Sequence, residues 1–597
     1  MVKRSMLILL LAGLILPAIG RAQSSPAPQG GTATATQKAN LVDINTAPAA
    51  MSEKPAEASP NNEQPAEQMP PNTALTPAII KIGLLNEQFN KLDALCSIWE
   101  LGCYTGAGDT LLQDEGGIRT KLAKANIGFF AMSMGVFDYN LADAPYGTRQ
   151  TEEFMGQKPF FVYTGLNLWT TFNIPSKNMQ FTFGGANMAS NYVYGYGPNT
   201  FRPTMLNLHQ TLLKGKLEYI VGWQEQDAEI ADNYIGGSFG AGVLGVRAVI
   251  PYNLGQSLEE FNTPTLLVKY HLTKKIYATA MAARSTDPDT GIWGVNARDR
   301  MGMRLFPKGD GALYAPEIGY KVDAAPGVKS IYFRMTGFYN SSRFLDYSNP
   351  AKFVSGLETI NYGLYGKLSP VLKGLTSIPS AFTGVPTVAP DKNAMAHNGG
   401  FTMTIDKQLT QPDKYLSYRG IYLNAVAQYA VTKLNPYQQY YQVALFSEGL
   451  LKSRPLDMMV INANRTQYDR TTLNTMQALP TALCPYMVAY EALPQSAGGL
   501  GTLPLPPGVT GADVCNGALG SAVQAQAQAG ATQAVQSINY QWGQKTYDDT
   551  EEISGTYSLH VRRGMYWNAN LGWTRHPAYA PRLNNPVTIL TSLFIAY

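Results

Sequence analysis

Past residue 125 the chain breaks into short runs in which apolar and polar side chains alternate, each run ended by Gly, Pro, Asn or Asp. A period of two puts successive side chains on opposite faces of an extended chain, so the pattern predicts antiparallel β-structure. Within 421–431, Ile421, Leu423, Ala425, Ala427, Tyr429 and Val431 share one face, while Asn424 and Gln428 fall on the other. The same split sets Tyr557, Leu559 and Val561 against Ser558, His560 and Arg562, and Trp567, Ala569, Leu571 and Trp573 against Asn568, Asn570 and Thr574. A soluble sandwich and a water-filled membrane barrel share this alternation; one turns the greasy face inward and the other outward.

The end of the chain favours the barrel. Residues 587–597, Val-Thr-Ile-Leu-Thr-Ser-Leu-Phe-Ile-Ala-Tyr, form an uncharged strand about one bilayer long with an aromatic last residue. Left as the edge of a soluble sheet, such a strand invites aggregation. After the first 22 residues no stretch approaches the ~20 consecutive apolar positions of a helical span, and a closed barrel is the other architecture that satisfies every backbone group in lipid. The expected fold is all-β: a transmembrane antiparallel barrel over 126–597, of about 16 strands, the size at which a barrel leaves an aqueous channel.

The front of the chain reads differently. Lys3 and Arg4 precede an apolar run over 6–16, and Gly20 and Ala22 flank a cut, the form of a secretory signal peptide over 1–22. Residues 23–75 are rich in Ala, Pro, Gln and Thr and poor in aromatics, and are expected to be disordered. Over 76–100, Ile79, Ile80, Leu84, Phe89, Leu92 and Leu95 recur at helical spacing, which predicts an amphipathic helix inside a short periplasmic helical segment, 76–125.

Composition agrees with a chain much of whose surface avoids bulk water: 15% of residues are charged and 11% aromatic, 35 of them Tyr, against about 25% charged in soluble proteins. Removing 1–22 takes away Lys3, Arg4 and Arg21 and no acid from a formal net charge of +4. The remainder is nearly neutral and has no basic face for nucleic acid. The four cysteines form two close couples, Cys96 with Cys103 and Cys484 with Cys515. In an exported chain each couple is expected to be a disulfide; neither has a His at metal-ligand spacing. Cys484 and Cys515 sit within 479–541, where Gly, Ala and Gln accumulate and a long outer loop is expected.

Enzyme signals are weak. Gly236, Ser238 and Gly240 match a nucleophile-elbow pattern, but 241–250 reads as β or glycine-rich loop, not the strand-to-helix turn that motif requires. The five histidines are scattered, and neither Gly215-Lys216 nor Gly366-Lys367 continues into a phosphate loop. The expectation is no enzyme, no cofactor and no metal.

Two local motifs sharpen the picture. Asp114-Glu-Gly116-Gly117-Ile-Arg119, then a short Leu-containing stretch and Ile-Gly-Phe129, resembles the opening of the barrel domain in the carbohydrate-selective porin (OprB) family, with Glu115 where that family has Trp. Ser453-Arg454-Pro455-Leu456-Asp457 is similar to the family's Gly-Arg-Pro-x-Asp turn, and the terminal strand is a third likeness. The resemblance runs from about residue 110 to the end and implies passive, carbohydrate-selective diffusion of sugars and other small polar solutes across the outer membrane. Lipid and lipopolysaccharide would surround such a barrel, and the barrel-assembly machinery would engage its last strand. The polar faces offer Arg334, Asn424, Gln428, His560, Arg562, Asn568 and Asn570 as lumen candidates; with no acid on those stretches, they predict a wall that repels cations. Asp114 and Arg119 read equally as an ordinary helix start or as a tether to the barrel mouth, and Arg454 reads as a turn residue paired with Asp457. A general-diffusion porin, a structural barrel with a blocked lumen, a gated receptor and an outer-membrane hydrolase stay open beside the sugar porin.

Overall fold

A computed structural model describes residues 76–93, 106–141, 160–190, 199–226, 230–231, 249–257, 262–286, 299, 302–305, 307, 310–348, 380–385, 395–435, 437–494, 505, 507–516, 549–576 and 585–597. The readings for 1–75, for the Cys96 and Cys103 couple and for the Gly236 to Gly240 motif lie outside these residues.

Sixteen strands follow one another in chain order: β1 (Ile127–Asn140), β2 (Phe160–Ile174), β3 (Met179–Ser190), β4 (Asn199–Leu212), β5 (Leu217–Gln224), β6 (Thr263–His271), β7 (Ile276–Arg284), β8 (Ala312–Val322), β9 (Ile331–Leu345), β10 (Met395–Gln408), β11 (Gly420–Ala430), β12 (Tyr437–Glu448), β13 (Met458–Tyr468), β14 (Asp549–Arg562), β15 (Met565–Arg575) and β16 (Val587–Ala596). Each pairs antiparallel with its sequence neighbours, and β16 returns to β1 in the register Met132 opposite Ala596 to Asn140 opposite Thr588. The closed barrel read from the sequence is the fold, with no free sheet edge.

The alternation resolves as a membrane barrel requires. Leu166 and Leu168 on β2, Val443 and Leu445 on β12, Ile461 on β13 and Leu571 on β15 point outward and are exposed. Their alternates Asn167, Gln442, Asn462 and Asn570 are buried on the inside. An aliphatic side chain moved from water into an apolar phase gains about 1.5–3 kcal/mol, so such a belt favours lipid over water by tens of kcal/mol.

The two ends differ. At one, the connections are tight: Pro175–Lys177 makes a 3-10 turn between β2 and β3, and β14 and β15 are joined through Arg563 and Gly564 alone. Gly564 has φ of +68°, and a Cβ there would meet the backbone N of Leu111 at 2.3 Å, so the turn accepts only glycine where the rim segment crosses it. The long connections 225–262, 346–394 and 469–548 join strands at the other end.

The rim segment begins with helix α1 (Pro77–Phe89), whose first turn is capped by Thr76, with Ile79 N donating to its hydroxyl at 3.3 Å. A 3-10 turn continues to Leu92, so the helix is shorter than the predicted 76–100. Its buried face is Ile79, Ile82, Asn86 and Phe89, whereas Ile80 and Leu84 are exposed. The turns between β10 and β11 and between β12 and β13 explain the difference: Leu416, Tyr418 and Leu456 receive Ile79 and Ile82, and the polar Asn86 is buried to bind Gly108 N at 2.7 Å. A short helix α2 (Ile118–Lys124) then leads into β1.

Two further departures concern the long connections. Val249 and Ile250, expected to be β or loop, open a short helix, α3 (Val249–Asn253), in the 225–262 connection. The stretch 479–541, expected to be loop, contains most of a 23-residue helix, α4 (Arg470–Ala492), and the short α5 (Gly511–Cys515). Asp469 caps α4 by accepting from Thr472 N at 2.9 Å. Cys484 and Cys515 are bonded, with Cα atoms 6.1 Å apart, and Val488, Val509 and Val514 pack around them. Because the bridge ties two helices above the sheet, replacing both cysteines by Ser is expected to speed protease cleavage within 469–548 and leave the barrel's heat-modifiable migration unchanged. Loss of that migration would contradict the placement.

Candidate solute pathway

The inner wall is polar and cross-linked side chain to side chain. Asn424 donates to Asp406 Oδ1 at 2.7 Å and accepts from Gln442 Nε2 at 2.8 Å, and Gln442 accepts from Tyr440 at 2.6 Å, a chain running across β10, β11 and β12. Asn568 donates to Ser592 Oγ at 2.9 Å and Asn570 to Thr556 Oγ1 at 2.7 Å. Other capacity on the wall is unused: Asn568 Oδ1, Gln428 Nε2, both polar atoms of Asn462 and the hydroxyls of Thr402 and Thr404 have no hydrogen-bond partner among the described residues. An apolar core would not tolerate that density of polar groups. It suits a surface that hydrogen-bonds water or hydroxylated solutes.

Arg334 anchors a second cluster on β6 to β9. Its guanidinium carbon lies 5.1 Å from the Tyr332 ring centroid, and Lys269 Nζ lies 5.5 Å from that of Tyr277. The two tyrosine hydroxyls are 2.9 Å apart, and Tyr277 also donates to Glu317 at 3.1 Å. Gly319, opposite Tyr277, leaves room for that ring; a Cβ there would meet it at 2.1 Å. Glu317 further accepts from the Ala231 backbone N at 3.1 Å.

The connection between β5 and β6 enters the barrel. Ile250 N at the start of α3 approaches Gln428 Oε1 at 3.4 Å, and Leu254 O accepts from Asn340 Nδ2 at 2.6 Å. Gly255, at φ +96°, lets the chain turn where a Cβ would strike Asn340 and Ser285. Residues 249–257 thus reach from β6 to the inner faces of β9 and β11 and narrow the lumen.

The candidate stretches carry no acid, but elsewhere on the wall Glu317, Asp406, Glu448 and Glu552 are buried on the inner face. Arg562 is also displaced: the register shifts between His560 and Arg562, and Arg562 stands opposite Met565, exposed, its Nε 2.8 Å from Met565 Sδ. His560 keeps inner parity but lies at the rim, where its Nε2 is 3.1 Å from Asp109 Oδ1.

Asp109, fully buried, also accepts from Gly564 N at 3.0 Å and from the Tyr566 hydroxyl. Asp93 accepts from Phe129 N at 3.0 Å and pairs with Arg119 at 3.3 Å, and Arg119 also donates to the Tyr597 main-chain oxygen at 3.1 Å. Burial lifts the Asp93 carboxyl to about 6, against the pull of the Arg119 charge. Arg119 is therefore buried and ties the rim segment to the seam between β1 and β16, whereas Asp114 binds Thr120 N at 2.9 Å in the first turn of α2. Gly116 and Gly117, both at positive φ, make the kink between them. Arg454 pairs with Asp457 at 2.8 Å and donates to His560 O at 2.7 Å, with Pro455 in the turn between them, so this motif is a rim turn far from α3 in the chain.

The model of the carbohydrate-selective porin, OprB family, matches residues 165–481. The chain belongs to the OprB porin family. The matched region contains the Arg454 turn, α3 and the Arg334 cluster, while the Asp114 to Phe129 motif and the last strand lie outside it. Among solved structures the porin is similar to Pseudomonas putida OprB at high pH, with TM-score 0.56 and 15% identity over 84% of this chain and 99% of that one. The low-pH form of that protein gives TM-score 0.41 at 13% identity over 82% and 98%. The outer membrane channel DcaP of Acinetobacter baumannii gives 0.37 at 8% over 79% and 97%. No curated protein matches the porin's sequence. The first of these likenesses agrees with the barrel fold; the family match makes the chain a channel protein.

Proposed function

We propose that this porin lies in the outer membrane and gives passive, carbohydrate-selective diffusion of sugars and other small polar solutes into the periplasm. The observation that carries the reading is the Lys269, Tyr277, Glu317, Tyr332 and Arg334 cluster on the inner wall. Aromatic faces and hydrogen-bonding groups of both signs replace water around a sugar without holding it, as release requires. In this reading residues 1–22 direct export, 23–75 are a disordered periplasmic stretch and 76–125 form the periplasmic helical segment. The short-turn end faces the periplasm, lipid and lipopolysaccharide contact the outer belt, and the assembly machinery engages β16.

Neutral monosaccharides are expected to enter proteoliposomes faster than amino-acid cations of similar size, because a neutral solute is neither repelled by Lys269 and Arg334 nor held by Glu317, Asp406, Glu448 and Glu552. The acids make the gap smaller than the basic groups alone would set. Arg334→Ala should reduce it further, as its side chain carries one of those positive charges. Equal entry of sugars and cations in the unsubstituted protein would remove the selectivity and leave a general-diffusion porin.

A further inference from the structure

Between the rim segment and the turns of β2 to β5 lies a cavity of about 660 Å³ that is distinct from the inner-wall cluster. Lys91, Thr120 and Lys124 line it from the rim side, and Asn178, Gln180 and His209 from the wall; among the described residues no carboxylate lines it. The walls are held by other bonds: Gln180 Nε2 donates to Leu92 O at 3.2 Å and to Asn173 Oδ1 at 2.9 Å, and Asn173 Nδ2 donates to Asn126 O at 3.1 Å. Behind them Glu218 is 2.9 Å from His271 Nε2 and 3.7 Å from the buried His209.

We propose that this cavity binds an anionic sugar, a polyol carrying one carboxylate or phosphate, from the periplasmic side; the sidedness rests on the orientation given above. The volume falls within the roughly 300–1,000 Å³ of small-molecule sites. Two lysines with no acid among the lining residues create a positive potential in a partly enclosed space, and an ammonium is a compact partner for a carboxylate or phosphate. Amides and the Thr211 hydroxyl around them match the donors and acceptors of a polyol, and Thr120, whose hydroxyl donates to Asp114 Oδ2 at 2.6 Å, offers its oxygen as an acceptor only. A neutral sugar would meet the same amides and lose the charge contribution. Lys91 and Lys124 are exposed and belong to the rim, so both can be replaced without opening the barrel.

The test is calorimetric titration of the detergent-purified full chain with sodium gluconate and, separately, glucose. Gluconate should bind more tightly than glucose, the Lys91→Ala and Lys124→Ala double variant should weaken gluconate about tenfold, as expected for loss of charge-assisted contacts, and glucose should change less than about twofold. The matching Lys→Arg double variant should keep most of the gluconate affinity, and added salt should lower it. Gluconate and glucose binding alike, no binding of gluconate, or an affinity unmoved by the alanine pair would each overturn the site. A chain that passes sugars but fails this titration loses the site alone. A chain that binds gluconate as expected but passes no solute loses the transport reading alone.

Discussion

Removal of Phe594, Ile595, Ala596 and Tyr597 is expected to abolish assembly of the barrel. Those residues close the sheet: Ala596, Ile595 and Phe594 stand opposite Met132, Ser133 and Met134 of β1, and Tyr597 N donates to Ala131 O at 2.8 Å. Phe594 is fully buried, with its ring centroid 6.2 Å from that of Tyr566. Truncation leaves several backbone groups of β1 and β15 without partners at a seam that faces lipid, where each costs several kcal/mol. It also removes Ala596 O, the acceptor of Leu111 N at 2.7 Å, and the Tyr597 oxygen bound by Arg119. The readout is the heat-modifiable band in membranes; a wild-type yield after truncation would contradict the seam.

Asp109→Ala should release the rim segment while the barrel stays closed. The carboxylate gathers His560 Nε2, Gly564 N and the Tyr566 hydroxyl inside the protein, and the alanine leaves all three facing nothing. Breaking a buried, charge-assisted set of this kind costs about 3–5 kcal/mol, which corresponds to at least a hundredfold faster protease cleavage within 106–126 if cleavage follows local opening. Heat-modifiable migration should persist, since the pairing of β14, β15 and β16 does not pass through Asp109. Unchanged cleavage would show that the segment is held elsewhere, by Asp93 and Arg119 above all.

The barrel was legible because period-two alternation is written into each strand, and because β16 carries no charge across 587–597. The register was less so. The shift after His560 turns Arg562 outward, and nothing in the local run Leu-His-Val-Arg marks where a strand slips against its neighbour. Helix α4 was hidden by composition: Gly, Ala and Gln accumulate over 479–541 and suggest a loop, and Pro480 and Pro485, residues that ordinarily break a helix, lie inside it. For α1, spacing suggested that Ile80 and Leu84 would be buried, but the helix is seated by Asn86, a polar residue whose role depends on Gly108 twenty-two positions away.

The pathway divides in the same manner. Asn424, Asn568, Asn570 and Arg334 lie on the inside because parity alone puts them there. Lys269, Tyr277 and Glu317 went unnoticed although β6 and β7 alternate in the same way, with Thr265, Leu267 and Lys269 on one face and Tyr277, Thr279 and Met281 on the next. Following that parity from strand to strand would have found the first two. It would not have found α3, whose entry into the lumen rests on contacts with Gln428 and Asn340 across the barrel.

If the polar inner wall surrounds a continuous water-filled path past α3, the purified protein conducts ions in a planar bilayer. Single-channel recording should then show discrete, reproducible conductance steps at neutral pH that persist in the Cys484→Ser, Cys515→Ser double variant. Stable insertion of folded barrel with no conductance steps would contradict it, and would leave a barrel whose lumen is closed.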